Sequence, residues 1–363
     1  MCEYKSSPRR ILWALLIAVG AILGHSPVAL GKPPVLEKAP PKAEPSTTRP
    51  GDKRVVPNTP QRRDVAVQAE AGGETKTSAT KTPEQIAAEK KAAKKAAEKF
   101  LRIVRDAAGE PQSMQTSIVS YRPKGDDRKG LVVDLVGAVH VGDGAYYDKL
   151  NKAFKEYDVV LYELVAPEGT KIPKGGRTEG GGHPVGAIQK ALKDILDLEF
   201  QLEKVDYTKD NFVHADMSPE EFAKTMEERG ESFLQMFFKM MGASIAQQAG
   251  KKGGSSDAEI LFALFSPDRA FKLKRVMAQQ FEDLGGTMSM LEGPKGSTII
   301  GERNRKAFEV LKKEIAAGKK KIAVFYGAGH LPDMEKRLTA DFELQPGEVK
   351  WIEAWDLRQK SRR

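Results

Sequence analysis

Two histidines and one glutamate stand where apolar strands run out. LVVDLVGAVH (131–140) reads as a buried strand, a glycine turn and His140. DVVLYEL (158–164) reads as a second buried strand that delivers a carboxylate, Glu163. KIAVFYGAGH (321–330) repeats the first frame with His330 in place of His140. A histidine after a strand is commonly just a turn residue. The repeated frame of apolar strand, Gly, Ala, one variable residue, His and then a helical pattern singles these two out. Glycine serves where backbone turns sharply or approaches a ligand closely. The paired frames predict two βα units related by internal symmetry, each placing a histidine at the carboxyl edge of a sheet, where clefts of open α/β sheets lie. Glu163 follows four apolar residues, and a carboxylate turned inward there is costly without a partner. Its bland reading is a helix-cap partner or a surface ion pair. Its sharper reading is a metal ligand or general base. Two imidazoles and a carboxylate suffice to hold a divalent ion with open positions. The same trio suits metal-free acid/base chemistry, with Glu163 orienting one histidine.

Arg303 and Asn304 fall in the first turn of the helix that precedes the second histidine unit. Most helix arginines are solvated; the sharper reading turns this guanidinium into the cleft to hold a carbonyl or carboxylate. His214 and Asp216, in DNFVHADM (210–217), form a weaker secondary pair with a structural alternative. His183, in a glycine-rich loop, and His25, in the leader region, carry little weight.

The elements that must position these groups follow from periodicity. MQTSIVSYRP (114–123) alternates as a strand does, and the turn residues after it close a hairpin with 131–140. GDGAYYDKLNKAFKEY has Tyr147, Leu150 and Phe154 at helical spacing. A glycine-rich loop runs from about Ala166 to Gly182, long enough for a functional or mobile role. From His183 to Gly286 the helical period dominates, starting with GAIQKALKDILDLEFQLEK (186–204), and Ser218 with Glu221 forms a capping box. Phe237, Phe238, Met240 and Met241 make an apolar face, read as core or as the wall of a ligand groove. STIIGERNRKAFEVLKKEIAAG reads as one long helix ending at Gly318, and VKWIEAWDL as a final strand. Strands at both ends with helices between predict an α/β (α+β) fold over 109–363: a central mixed sheet built from the N- and C-terminal halves, with a large helical insertion at about 184–290.

The charge of the 363-residue chain sits in its N-terminal arm. Residues 1–108 hold 20 Lys/Arg against 11 Asp/Glu, whereas 109–363 hold 39 of each. The folded part therefore offers no basis for a nucleic-acid groove, which needs a local basic stripe. Cys2, the single cysteine, excludes an internal disulfide and a cysteine-based metal site. Residues 1–31 read as a signal peptide: Lys5, Arg9 and Arg10, an apolar run at 11–24, and Ala29-Leu30-Gly31 for cleavage. Retained, the same run is an anchor, though it is short of the roughly twenty residues a spanning helix needs. Residues 32–83 have too few apolar groups to offset ordering entropy and read as a disordered linker. Residues 84–108 read as a lysine-rich helix, either simply solvated or resting on an anionic membrane or wall polymer. An exported protein is expected: periplasmic, extracellular or membrane-anchored.

GAVHVGDGAYYDKLNKAFKEYDVVLYEL resembles the N-terminal motif of the TraB/GumN/Tiki superfamily, in which Gly-x-x-His, a helix and a strand ending in Glu follow one another. GERNRKAFEVLKKEIAAGKKKIAVFYGAGHLPDMEKRL resembles its C-terminal half. The likeness spans roughly 114–356, with specific motifs at the two ends. It departs from the common pattern in its glycine-rich loop and in Asp333-Met334, where other members often have Asp-Arg. The resemblance implies an exported metal-dependent hydrolase, a peptidase of the Tiki type using manganese or cobalt, with zinc a further option. It carries His140, Glu163 and His330 over as active-site and metal residues and Arg303 as the motif arginine. Its substrate would be a peptide or a small molecule. There is no His-Glu-x-x-His, so zincin-type proteolysis is excluded. The competing expectation is a non-catalytic protein that sequesters a peptide or small ligand in the same cleft.

Overall fold

The structure is a computed structural model. It describes residues 82–125, 128–176, 196–232, 266, 268–291 and 296–359. The leader at 1–31, the linker up to residue 81, His183 and the Phe237–Met241 face lie outside the described residues.

Four parallel strands form the centre of a mixed sheet: β3 (Val132–Ala138), β8 (Lys321–Gly327), β5 (Val159–Tyr162) and β7 (Phe212–His214). They lie side by side in that order. Antiparallel strands extend the sheet beyond β3. β2 (Pro111–Pro123) pairs β3 through Ile118–Tyr121 and pairs β1 (Leu101–Arg105) through its first half. β9 (Leu344–Asp356) also pairs β2, along most of its length. The α/β fold with a mixed sheet joined from both ends of the chain is thus realised. The central strands are nearly continuous apolar runs because both faces are covered. On one face Val136, Ala138, Val160 and Phe325 meet Leu150 and Phe154 of α2 (Gly144–Phe154), with Leu273 and Met277 of α5 (Arg269–Leu291) in the same core. On the other, Val133, Leu135, Leu161 and Val324 meet Phe308 and Leu311 of α6 (Arg303–Ala316) and Met334 and Leu338 of α7 (Leu331–Ala340).

The helix expected over 84–108 is shorter. α1 (Pro83–Glu98) stops where Phe100 is fully buried, and 101–105 is strand β1. Leu101 and Ile103 alternate onto the core while the backbone bonds β2, which satisfies donors a helix could not bring to the sheet edge. The folded unit therefore begins before Gly109. The expected helix over 186–204 gives way, at its described end, to β6 (Glu199–Phe200) and α3 (Gln201–Lys204). β6 pairs β4 (Val141–Gly142), directly after His140. Farther on, α4 (Pro219–Glu228) starts on the expected capping box of Ser218 and Glu221. The long helix ending near Gly318 begins with a π turn, Thr298–Glu302, in which the Glu302 N–H reaches the Ser297 carbonyl at 3.1 Å. Among the described residues no helix is long and apolar enough to cross a membrane.

The two histidine frames are neighbours but not equivalent. β3 pairs β8 with Ala138 opposite Gly327, so Gly137 lies opposite Tyr326, one step out of the alignment the sequence frame suggests. After β3 the chain turns into β4; after β8 it enters a 3-10 turn, Ala328–His330.

Candidate active site

All four parallel strands point their carboxyl ends the same way, and each supplies a polar side chain just past its end. In spatial order these are His140 after β3, His330 after β8, Glu163 after β5 and Asp216 after β7. The ladder persists to the site: the Glu163 N–H reaches the Phe325 carbonyl at 3.2 Å and the Ala215 N–H reaches that of Tyr162 at 3.1 Å. Arg303 comes from the first residue of α6, where the π turn ends. Such turns recur at functional sites.

Glu163 is the hub. Its Oε1 accepts from Arg303 Nη2 at 2.7 Å, and its Oε2 accepts from the Gly327 N–H at 2.7 Å. Arg303 also donates from Nε and Nη2 to Asp216, at 3.0 and 2.5 Å. All three side chains are buried. The solvated reading of Arg303 therefore fails: the guanidinium is desolvated and shared between two carboxylates, which leaves the cluster negative. Burial pushes the Glu163 carboxyl up, but Arg303, His330, His140 and the Gly327 N–H together hold it well below the usual carboxylate range. Burial lowers the Arg303 pKa, and its two carboxylates more than restore it. Arg303 Nη1 makes no hydrogen bond to a described residue.

His330 is buried, with its ring edge-on to Tyr326 and its Nε2 3.5 Å from Glu163 Oε1. That separation exceeds a hydrogen bond. Burial, assisted by Arg303 and His140, lowers the pKa of the imidazole to about 4 against the pull of Glu163 and Asp216. It is therefore neutral at pH 7. Asn304 meets the far side of the ring, with Oδ1 2.7 Å from Nδ1. His140 is more open, and its ring bonds no described residue. Its backbone is clamped, because the carbonyls of Val139, His140 and Val141 accept from the Tyr147 hydroxyl, the Gln201 N–H and Trp355 Nε1. A methyl built on Gly327 would lie 3.3 Å from Glu163 Oε2, 3.8 Å from His330 Cδ2 and 4.0 Å from His140 Nε2. The three side chains thus converge on Gly327, where even a methyl would be crowded against Glu163.

His214 stands apart from this ring. Its Nε2 lies 2.5 Å from the Leu164 carbonyl and must donate there, and its ring packs on Tyr162. It ties β7 to the segment after Glu163. Asp216, read with it as a weaker pair, is instead the second anchor of Arg303. Sequence reading missed the N–H of Gly327, and it missed Asp333, which lies behind Asn304 at 2.8 Å. The first-turn position of Asp333 in α7 has an ordinary explanation in the helix dipole, so nothing in the sequence separated it from a solvated acid.

Among the described residues no group of three His, Cys, Asp or Glu side chains is spaced to hold a metal ion as placed. The donor types nonetheless suit one. Neutral imidazole and ionised carboxylate are both ligand forms. The negative excess left by Glu163, Asp216 and Arg303 favours a cation.

Comparison with family models, with curated proteins and with solved structures found no match.

Proposed function

We propose that this strand edge is the active site of an exported, metal-dependent hydrolase acting on peptides. One observation carries the reading. A neutral imidazole and an ionised carboxylate face each other at 3.5 Å, too far for a shared proton, inside a buried cluster with negative charge in excess. The resemblance to the TraB/GumN/Tiki superfamily supports the same class and suggests manganese or cobalt. Export rests on the pattern of residues 1–31, and contact with a membrane or wall polymer on the basic arm beyond it.

His140, Glu163 and His330 would hold the ion, which when bound supplies a Lewis acid and lowers the pKa of its water. Gly327 and Arg303 fix both oxygens of Glu163, so the carboxylate does not rotate away during a turnover. Asp216 holds Arg303 from the other side and leaves Nη1 to donate to a substrate carbonyl oxygen as negative charge develops on it. Burial strengthens that donation by excluding water.

The test is the purified chain with a peptide pool, with and without manganese and with chelator, read by mass spectrometry for new fragments. Cleavage in manganese, abolished by chelator and by His330→Ala, is expected. Peptide retained without any fragment contradicts the reading and favours sequestration. Cleavage indifferent to chelator contradicts the metal and favours acid/base hydrolysis by the same side chains.

A further inference from the structure

An imidazole that offers a lone pair carries its single proton on Nδ1 or on Nε2, and that choice decides what His330 shows to Glu163. The neighbours of Asn304 decide it. The Asn304 amide nitrogen lies 3.1 Å from the His330 carbonyl and 2.8 Å from Asp333 Oδ2. A carbonyl and a carboxylate can only accept, so both require the NH2 end of the amide. The oxygen end is thereby turned to the ring, 2.7 Å from His330 Nδ1. An amide oxygen accepts only, so Nδ1 must carry the proton. Asp333 is itself held, since Arg337 Nε donates to the same oxygen at 2.6 Å. Arg337 Nη2 in turn bonds the Gly301 carbonyl at 3.1 Å, in the π turn that ends at Arg303.

We infer that Asn304 and Asp333 are a positioning pair that keeps His330 in its Nδ1–H tautomer, so that a bare Nε2 lone pair faces Glu163. Neither residue is among those nearest Gly327, and both act through the imidazole. A flipped Asn304 would offer an N–H to Nδ1, the ring proton would move to Nε2, and that N–H would point at Glu163 Oε1. The ring would then be a hydrogen-bond donor and no longer a ligand or base. The use of this lone pair in hydrolysis rests on the proposed function. The tautomer itself does not.

The experiment is long-range 1H–15N correlation on the full chain, histidine-labelled, chelator-treated and near neutral pH. The chain has five histidines, so His330→Gln assigns the signal by its loss. In the wild type, Nδ1 is expected to be protonated and Nε2 bare. Asn304→Leu removes the acceptor and should move most of the proton to Nε2. Asp333→Ala, at a partly exposed side chain, should give a measurable Nε2-protonated fraction, and Asp333→Asn, which keeps an acceptor oxygen in place, should restore the wild-type pattern. A wild-type proton on Nε2, or a pattern unchanged in both Asn304→Leu and Asp333→Ala, overturns the inference. Should Asn304→Leu not fold, Asp333→Ala against Asp333→Asn decides. Manganese affinity should fall at least tenfold in Asp333→Ala and recover in Asp333→Asn. The expected tautomers without any peptide cleavage would sink the proposed function and leave this inference standing.

Discussion

Burying a carboxylate beside two imidazoles is unfavourable unless each charge finds a partner, and at Glu163 Arg303 and the Gly327 N–H are those partners. The same burial that strengthens the site makes it acid-labile. In the unfolded chain a histidine protonates near its ordinary value of 6.5, whereas His330 in the fold waits until about 4. Between those values the unfolded state binds the extra proton, so stability is lost as pH falls. Glu163, held below its ordinary value of 4.5, continues the loss at lower pH, because the unfolded chain again protonates first. For chelator-treated protein, denaturant titrations should show stability falling from pH 7 toward 4. The His330 share is on the order of 3 kcal/mol. In His330→Gln the limb between about 6.5 and 4 should flatten while the limb below it remains. Parallel pH profiles for the two proteins would contradict this origin.

At the scale of elements, the two motif glycines do different work. Gly137 sits inside β3, where an added Cβ would meet the Phe100 and Ser117 carbonyls, each at 3.3 Å. Those are backbone atoms of a bonded sheet and cannot retreat. Gly327 ends β8, and its added Cβ would meet the Glu163 and histidine side chains. Gly137→Ala should therefore cost about 1–3 kcal/mol in urea unfolding with the site chemistry preserved. Gly327→Ala should cost less stability and most of the peptide cleavage. Equal stability losses in the two variants would contradict this division. The difference shows what the sequence could and could not reveal. Apolar runs that end in His140, Glu163 and His330 identify strand ends, because a strand buried on both faces has few other places for a polar group. The apparent symmetry of the frames was misleading, since pairing register is set across the sheet and shifts one frame by a residue. Asp216 and Asp333 gain their roles from partners 87 and 29 positions away, a proximity that no local pattern records.

For the whole molecule, the site depends on both ends of the chain closing one sheet: β3 and β8 come from opposite ends of the fold yet lie side by side. The start of the folded unit matters for the same reason. Phe100 is fully buried and β1 pairs β2, which neither the lysine-rich helix reading nor a start at Gly109 provides for. A chain beginning at Gly109 should be less stable than one beginning at Pro83 by at least about 3 kcal/mol, the scale of losing a buried phenylalanine. Matching urea midpoints would contradict it. Ala, Glu and Lys dominate the sequence up to Glu98 and mask the change of period at Leu101. The central claim is that His140, Glu163 and His330 together hold a divalent ion where the strands end. It is tested most directly by elemental analysis of the full chain after manganese loading and desalting. The wild type should retain about one ion per chain, and His140→Ala, Glu163→Gln and His330→Ala should each lose it while remaining folded. A wild type without manganese, or variants that keep as much as the wild type, would contradict the account.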